Sequence, residues 1–288
     1  MTKELRGPVS PELAAELKAR FNPEGSMLRR QQNRMTEMVL FLDSVCRKHH
    51  IRYWLCSGTL LGAVRHGGYI PWDDDLDVEM LREDWLRLMK VLPQELPDHY
   101  AIQTHDTDPN YFYAYAKLRD RRSHMEEQTH YDRIFREQGI FIDIFPMERA
   151  PQPLRWISCM TLGHAYKVLN TPSHSDEEAA KFVRRIARVN FGFIFPVLRF
   201  IAKFWPMGEK VRYSYGIPYN DFRLRSYLFP LKTIKFDGHD LPAPHATDPY
   251  LRDKFGDYMR LPDLSEFHLH VDSITIDPPP TPPCEGGE

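Results

Sequence analysis

Trp54-Leu-Cys-Ser-Gly-Thr-Leu-Leu-Gly-Ala-Val-Arg-His-Gly-Gly-Tyr-Ile-Pro-Trp-Asp-Asp-Asp-Leu-Asp-Val78 reads as strand, glycine turn, helix and second strand in that order. Residues 51–56 are β-prone, Ser57-Gly58-Thr59 opens a helical segment from Leu60 to Arg65, and His66-Gly67-Gly68 ends it. Beyond Pro71-Trp72, extended backbone would alternate its side chains, so Asp73, Asp75 and Asp77 are expected on one face with Leu76 and Val78 toward the core. Three carboxylates on one face repel one another unless a cation sits among them. Hard divalent ions, Mg2+ or Mn2+, take such oxygens and often share them with substrate phosphates. An acidic run is ordinarily a solvated turn, but alternation with Leu76 and Val78 argues for a site here.

The turn before these acids supplies the complementary half. Ser57, Gly58 and Thr59 stand at a helix start, where unpaired backbone N–H groups and a hydroxyl can face a phosphate. A further acid, Asp143, lies within the apolar run Gly139-Ile-Phe-Ile-Asp-Ile-Phe145. Burying it unpaired is costly, which makes it a candidate third metal ligand; the alternative is a structural cap. Lys117 and Arg119 are two apart, so on a strand they share a face and are candidates to neutralise phosphates; an exposed strand face is the alternative. Arg65 and His66, just before the glycine break, are weaker candidates for the same role, and His268 and His270 lack a third metal ligand in view.

Working outward, Ser10-Pro11 signals a short helix to about Arg20, and Met35, Met38, Val39, Leu42, Val45 and Cys46 recur at helical steps within residues 27–49. Arg82 to Leu92 is helical; Tyr100 to Thr104, Tyr111 to Leu118 and Gly139 to Phe145 are strands; helices are expected at 156–169 and 176–190. The fold class is α+β, a mixed sheet flanked by helices with a helical C-terminal elaboration. The boundaries are an N-terminal extension at 1–26, a catalytic core at 27–150, a mainly helical part at 151–276 that completes the site, and a disordered Pro- and Gly-rich tail at 277–288.

The segment Trp54 to Val78, with Tyr115-Ala-Lys-Leu-Arg-Asp120, the run at 139–146 and, more weakly, Phe255-Gly-Asp-Tyr-Met-Arg-Leu-Pro262, resembles the LicD family. That family is related to fukutin-related proteins and to the polymerase-β-like nucleotidyltransferases. The resemblance covers residues 27–150 and a patch near 255–270. It implies a nucleotidyltransferase-type fold, a catalytic divalent ion on Asp75, Asp77 and Asp143, and nucleotide phosphates at Gly58-Thr59, with Cys56-Ser57 where relatives carry other small residues. It also implies transfer of phosphocholine or a related phospho-alcohol from a CDP-linked donor to a carbohydrate acceptor on the cell surface. Three other readings stand beside it: a nucleotidyltransferase moving the nucleotide itself, a glycosyltransferase with a DxD metal motif, and a non-catalytic nucleotide-binding protein.

The formal net charge of −2 gives no general electrostatic reason for nucleic-acid binding. Cys46, Cys56, Cys159 and Cys284 form no zinc spacing and read as reduced thiols. With a charged N-terminus and no long apolar run, a cytoplasmic location is expected. The aromatic segment 191–205, carrying Arg199 and Lys203, is read first as a buried helix and second as an interfacial one giving peripheral membrane contact.

Overall fold

The structure is a computed structural model that describes residues 9–171, 174–261 and 271–276. Helix α1 (Pro11–Phe21) starts where expected, with the Ser10 hydroxyl accepting from Leu13 N–H at 3.2 Å and proline in the first turn. Helix α2 (Met27–Lys48) is capped by Ser26 and buries Met35, Met38, Val39, Leu42, Val45 and Cys46, the face that the periodicity marked.

Strand β1 (Trp54–Leu55) is shorter than the β-prone run, and α3 (Ser57–His66) follows it directly. Next come β2 (Asp77–Leu81), α4 (Arg82–Glu95), β3 (Tyr100–Gln103), β4 (Ala116–Asp120), β5 (Ser123–Glu127) and β6 (Ile140–Glu148). The central sheet has the order β1-β2-β6-β4-β3, with β2 parallel to β6 and the other pairs antiparallel. This mixed sheet packed against helices is the expected α+β class. The strand expected from Tyr111 begins only at Ala116, so the tyrosines at 111, 113 and 115 sit in an irregular approach to the sheet.

The C-terminal part is helical only at first. Helices α5 (Gln152–Leu162), α6 (His164–Leu169), α7 (Asp176–Val189) and α8 (Phe195–Ala202) are followed by β7 (Lys210–Tyr213) and β8 (Phe222–Leu224), which extend the central sheet through β6. A short helix α9 (Arg225–Leu228), the hairpin β9 (Lys232–Phe236) with β10 (His239–Ala243), helix α10 (Thr247–Phe255) and β11 (Val271–Ile276) paired with β5 complete the described chain. The C-terminal part expected to be mainly helical thus also carries the strands β7 to β11 among the described residues. These later elements are fixed by a buried charge: Glu79 on β2, 0% exposed, accepts from Trp54 Nε1 at 2.9 Å, Arg223 Nη2 at 2.9 Å and Tyr250 Oη at 3.2 Å. A carboxylate so satisfied repays its desolvation and ties β2 to β8 and α10.

Cys46 and Cys56 are buried and Cys159 half-buried, all as free thiols. Cys284, His268, His270 and the tail lie outside the described residues. No helix among the described residues is long and apolar enough to cross a membrane. Residues 190–202 continue α7 through a π-helical turn into α8, and only Asn190, Phe195, Leu198 and Ala202 of them are buried. The first reading of 191–205 as a core helix is therefore wrong for most of its aromatic side chains.

Candidate active site

The parallel pairing of β2 and β6 sets Asp77 opposite Asp143, and the antiparallel pairing of β6 and β4 sets Asp143 opposite Lys117. Residues directly opposite one another project to the same face, so the three form a row across the middle of the sheet. Of Asp73, Asp75 and Asp77, only Asp77 is on a strand. Asp73 and Asp75 are in the turn before it, which corrects the alternation argument: Asp73 N–H donates to Ile70 carbonyl at 3.0 Å, bending the chain after Pro71. Two amides of α2 hold this turn, Gln31 Nε2 on the Asp74 carbonyl at 2.7 Å and Gln32 Nε2 on the Asp73 carbonyl at 2.9 Å. Asp75 nevertheless reaches the same pocket as Asp143 and Lys117.

Burial pushes the Asp77 carboxyl well above the usual carboxylate range, and the neighbouring Asp75, Asp143 and Asp73 push it further. Burial also lifts Asp143, to about 6, against the opposing pull of Lys117. Lys117 Nζ stands 3.2 Å from Asp143 Oδ1, yet outside hydrogen-bond geometry, so this buried oxygen has no hydrogen-bond partner among the described residues. Nor are any three Asp, Glu, His or Cys side chains among the described residues grouped as a ready metal cluster.

The glycine turn lies beside these acids. Ser57 has a left-handed backbone (φ 48°), an uncommon conformation for a residue with a Cβ, and the N-cap residue Cys56 makes no side-chain capping bond to α3. A Cβ on Gly58 would come within 3.0 Å of Asp73 Oδ2, so the glycine lets the acidic turn approach the helix. The Thr59 hydroxyl, buried, accepts the Asp77 N–H at 2.9 Å. Thr59 thus positions Asp77, where the sequence reading offered its hydroxyl to a phosphate.

Other expected residues are placed differently. Lys117 is 2% exposed and lines the pocket, with Glu127 Oε1 at 3.7 Å as its second counter-charge. Arg119 is 0% exposed and is consumed by Gln103 Oε1 at 2.8 Å, the Gly139 carbonyl at 2.8 Å and Glu127 Oε1 at 3.0 Å. It braces Glu127 and does not line the pocket, because a guanidinium buried under the sheet needs every donor satisfied. Arg65 and His66 are at the far end of α3, roughly 12 Å of helix rise from Ser57. Arg65 donates to the carbonyls of Tyr258 and Arg260 at 3.0 and 3.3 Å. Burial and the adjacent Arg65 hold His66 down at about 4, so it is neutral near pH 7 and offers a phosphate no charge. Neither lines the pocket of Asp75, Lys117 and Asp143, although Arg65 feels the charge of Asp73.

The pocket itself, about 330 Å3, joins Asp75, Lys117 and Asp143 to a wall of Tyr113, Tyr115, Tyr131, Tyr166 and Tyr219. Tyr113 and Tyr115 stack at 5.3 Å with their planes 15° apart. These tyrosines, Glu127, Gln31 and Gln32 were missed in the sequence. A tyrosine-rich stretch at 111–115 was visible, but nothing in it distinguishes a pocket wall from core.

Residues 50–174 match the family model described as LicD/FKTN/FKRP, nucleotidyltransferase domain. The chain is 27% identical to the lipopolysaccharide cholinephosphotransferase LicD of Haemophilus influenzae, across 84% of this chain and 95% of that protein. Similarity to ribitol 5-phosphate transferase FKRP of Homo sapiens is 44%, confined to 17% of this chain and 10% of that protein. An uncharacterised protein of Rickettsia prowazekii is 60% identical over 16% of this chain and 18% of its own length. The likeness to the LicD family is thus carried by residues 50–174 in the family's nucleotidyltransferase domain and, at lower identity, by most of the chain.

Proposed function

We propose that the protein transfers a substituted phosphate group, phosphocholine or a related phospho-alcohol, from a CDP-linked donor to a hydroxyl of a cell-surface glycan or its precursor. The observation that carries this reading is the row Asp77, Asp143 and Lys117 on one face of the sheet, where Asp143 and Lys117 line a pocket with Asp75 and the Asp77 N–H is held by Thr59 at the start of α3. The names of the Haemophilus and FKRP relatives support phosphate-linked group transfer.

The donor set fits a hard divalent ion, Mg2+ or Mn2+: Asp75 and Asp143 stand close enough to raise the proton affinity of the buried Asp77, and a buried Asp143 oxygen lacks a hydrogen bond among the described residues. Asp75, Asp77 and Asp143 would hold it, and it would supply charge neutralisation for the donor diphosphate and the leaving CMP. The backbone N–H groups at Ser57 and Gly58 bind phosphate oxygen through their own dipoles. Lys117 adds a fixed positive charge at the pocket wall. A carboxylate of the cluster accepts the proton of the attacking hydroxyl.

The tyrosine wall favours choline over a polyol. A quaternary ammonium is attracted to aromatic faces, by about 1 to 2 kcal/mol where water is excluded, whereas a ribitol chain would ask these rings for hydrogen bonds. Product analysis with CDP-choline, CDP-ribitol, CDP-glycerol and UDP-sugars in the presence of Mg2+ tests the reading. CMP release, greatest from CDP-choline, is expected. Pyrophosphate as the product, or turnover of UDP-sugars alone, would sink it.

A further inference from the structure

The helices behind the sheet leave a broad apolar face uncovered. Trp156 and Met160 on α5 are 60% and 68% exposed, and Phe193, Phe200 and Phe204 at the end of the α7–α8 helix are 67%, 61% and 76% exposed. The two helices pack on one another. Along the longer one and the turn that ends it, Phe182, Val189, Phe193, Val197, Phe200 and Phe204 recur at steps of seven, four, four, three and four, so they follow one stripe. Exposed aromatic side chains in such number mark an interaction surface, because leaving them in water is unfavourable.

The charge around this stripe identifies what covers it. From Ala179 to Trp205 there are six basic side chains, Lys181, Arg184, Arg185, Arg188, Arg199 and Lys203, and no acidic one, in a chain whose net charge is −2. Arg199 is paired with Glu148, Lys181 with Glu177, and Arg184 bonds Asn110, while Arg185, Arg188 and Lys203 are exposed. A second copy docked face to face would oppose these positive charges. An anionic lipid surface complements them, and the aromatic rings suit the boundary between headgroups and acyl chains.

We infer that the exposed face of α5 and the α7–α8 helix rests on the surface of an anionic bilayer, with its aromatic side chains inserted and Arg185, Arg188 and Lys203 against lipid phosphates. No described helix can span the bilayer, so the association is peripheral. It stands independently of the reading of the catalytic pocket.

Co-sedimentation of the full chain with vesicles of phosphatidylcholine, and of equimolar phosphatidylcholine and phosphatidylglycerol, tests this. The wild type should partition onto the anionic vesicles at least about tenfold better than onto neutral ones, and less well at high salt. Phe193→Ser/Phe200→Ser/Phe204→Ser and, separately, Arg185→Glu/Arg188→Glu/Lys203→Glu should each lower anionic partition by about tenfold or more. All six positions are exposed or near-exposed, and circular dichroism verifies folding. The wild type alone also decides: failure to bind anionic vesicles, or equal binding to neutral ones, overturns the inference. So does a wild-type dimer in light scattering that ignores vesicles and is broken by the triple serine variant, since the face then belongs to a second copy.

Discussion

Lys117 Nζ sits 3.2 Å from Asp143 Oδ1 and 3.7 Å from Glu127 Oε1, with only 3% of its side chain exposed. One buried ammonium thus balances two carboxylates, and the balance is unequal when either side is removed. Lys117→Met leaves Asp143 without its counter-charge, while Asp143→Asn leaves Lys117 with Glu127. Removing one partner of a buried pair costs about 3 to 5 kcal/mol, so Lys117→Met should fall near that range and Asp143→Asn below it. Urea unfolding of both variants measures the order; a larger loss for Asp143→Asn would contradict this assignment of partners.

Thr59 is a positioning residue. Thr59→Val keeps the shape but leaves the Asp77 N–H without the acceptor it has at 2.9 Å. The expected cost is about 1 to 3 kcal/mol in stability, the usual penalty for an orphaned buried donor. The expected kinetic signature is a fall in kcat with KM for the donor nearly unchanged, and Thr59→Ser should restore both. A valine variant with normal kcat would leave Thr59 a merely structural role.

Tyr219 is 49% exposed at the mouth of the tyrosine wall, so Tyr219→Leu should fold normally. Loss of one ring face should weaken CDP-choline binding by about tenfold and leave CDP-ribitol binding within about twofold. Calorimetry with the two donors checks it, and equal losses for both would remove the argument for a quaternary ammonium.

What could be read beforehand depended on whether a residue's role is local. The helical face of α2 is legible because Met35, Met38, Val39 and Leu42 repeat at the helical period, and the acids of the turn stand out because they interrupt an apolar run. Arg119 was misread because a charged residue on a strand is ordinarily exposed, and nothing local announces that Gln103, Gly139 and Glu127 converge on it. The pocket wall draws Tyr115, Tyr166 and Tyr219 from separated segments, and β5 pairs with β11 through Ser123 opposite Ile276. Such long-range pairings leave no periodic trace. Arg65 and His66 were read as weaker phosphate candidates from their place before the glycine break, whereas α3 carries them to the end opposite Ser57 and Gly58.

Gly62 offers a stricter test of the close packing at this turn. A Cβ there would lie 2.4 Å from the Gly68 carbonyl oxygen and 3.0 Å from Ile70 N, both backbone atoms that cannot swing aside. Gly62→Ala should therefore push the 68–70 segment off α3 and cost about 1 to 3 kcal/mol, the range for overpacking. Gly58→Ala meets only the Asp73 carboxylate at 3.0 Å, which can rotate, so its loss of stability should be smaller and its loss of donor affinity larger. Thermal unfolding and donor binding on the two variants give the comparison, and the reverse pattern would argue against Gly58 serving the site.

Asp77 separates function from stability most cleanly. Burial holds its carboxyl well above the ordinary range, with Asp75, Asp143 and Asp73 adding to the effect. The unfolded chain releases this proton near the ordinary value of about 3.9, whereas the folded chain retains it to higher pH. Between those two points the folded state binds more protons, so the contribution of Asp77 to stability falls as pH rises from about 4 and reaches its full penalty above the folded value. Asp77→Asn removes that penalty. In chelator-treated protein, the variant should match the wild type below about pH 4 and exceed it increasingly toward neutral pH, a trend that denaturant titrations at several pH values would follow. Turnover with Mg2+ and CDP-choline should meanwhile drop by at least about a thousandfold, since several kcal/mol of charge stabilisation depend on this carboxylate. Retained activity would dismiss Asp77 from the metal set, and a variant that is less stable at neutral pH would mean that its carboxylate is held by partners that repay its burial.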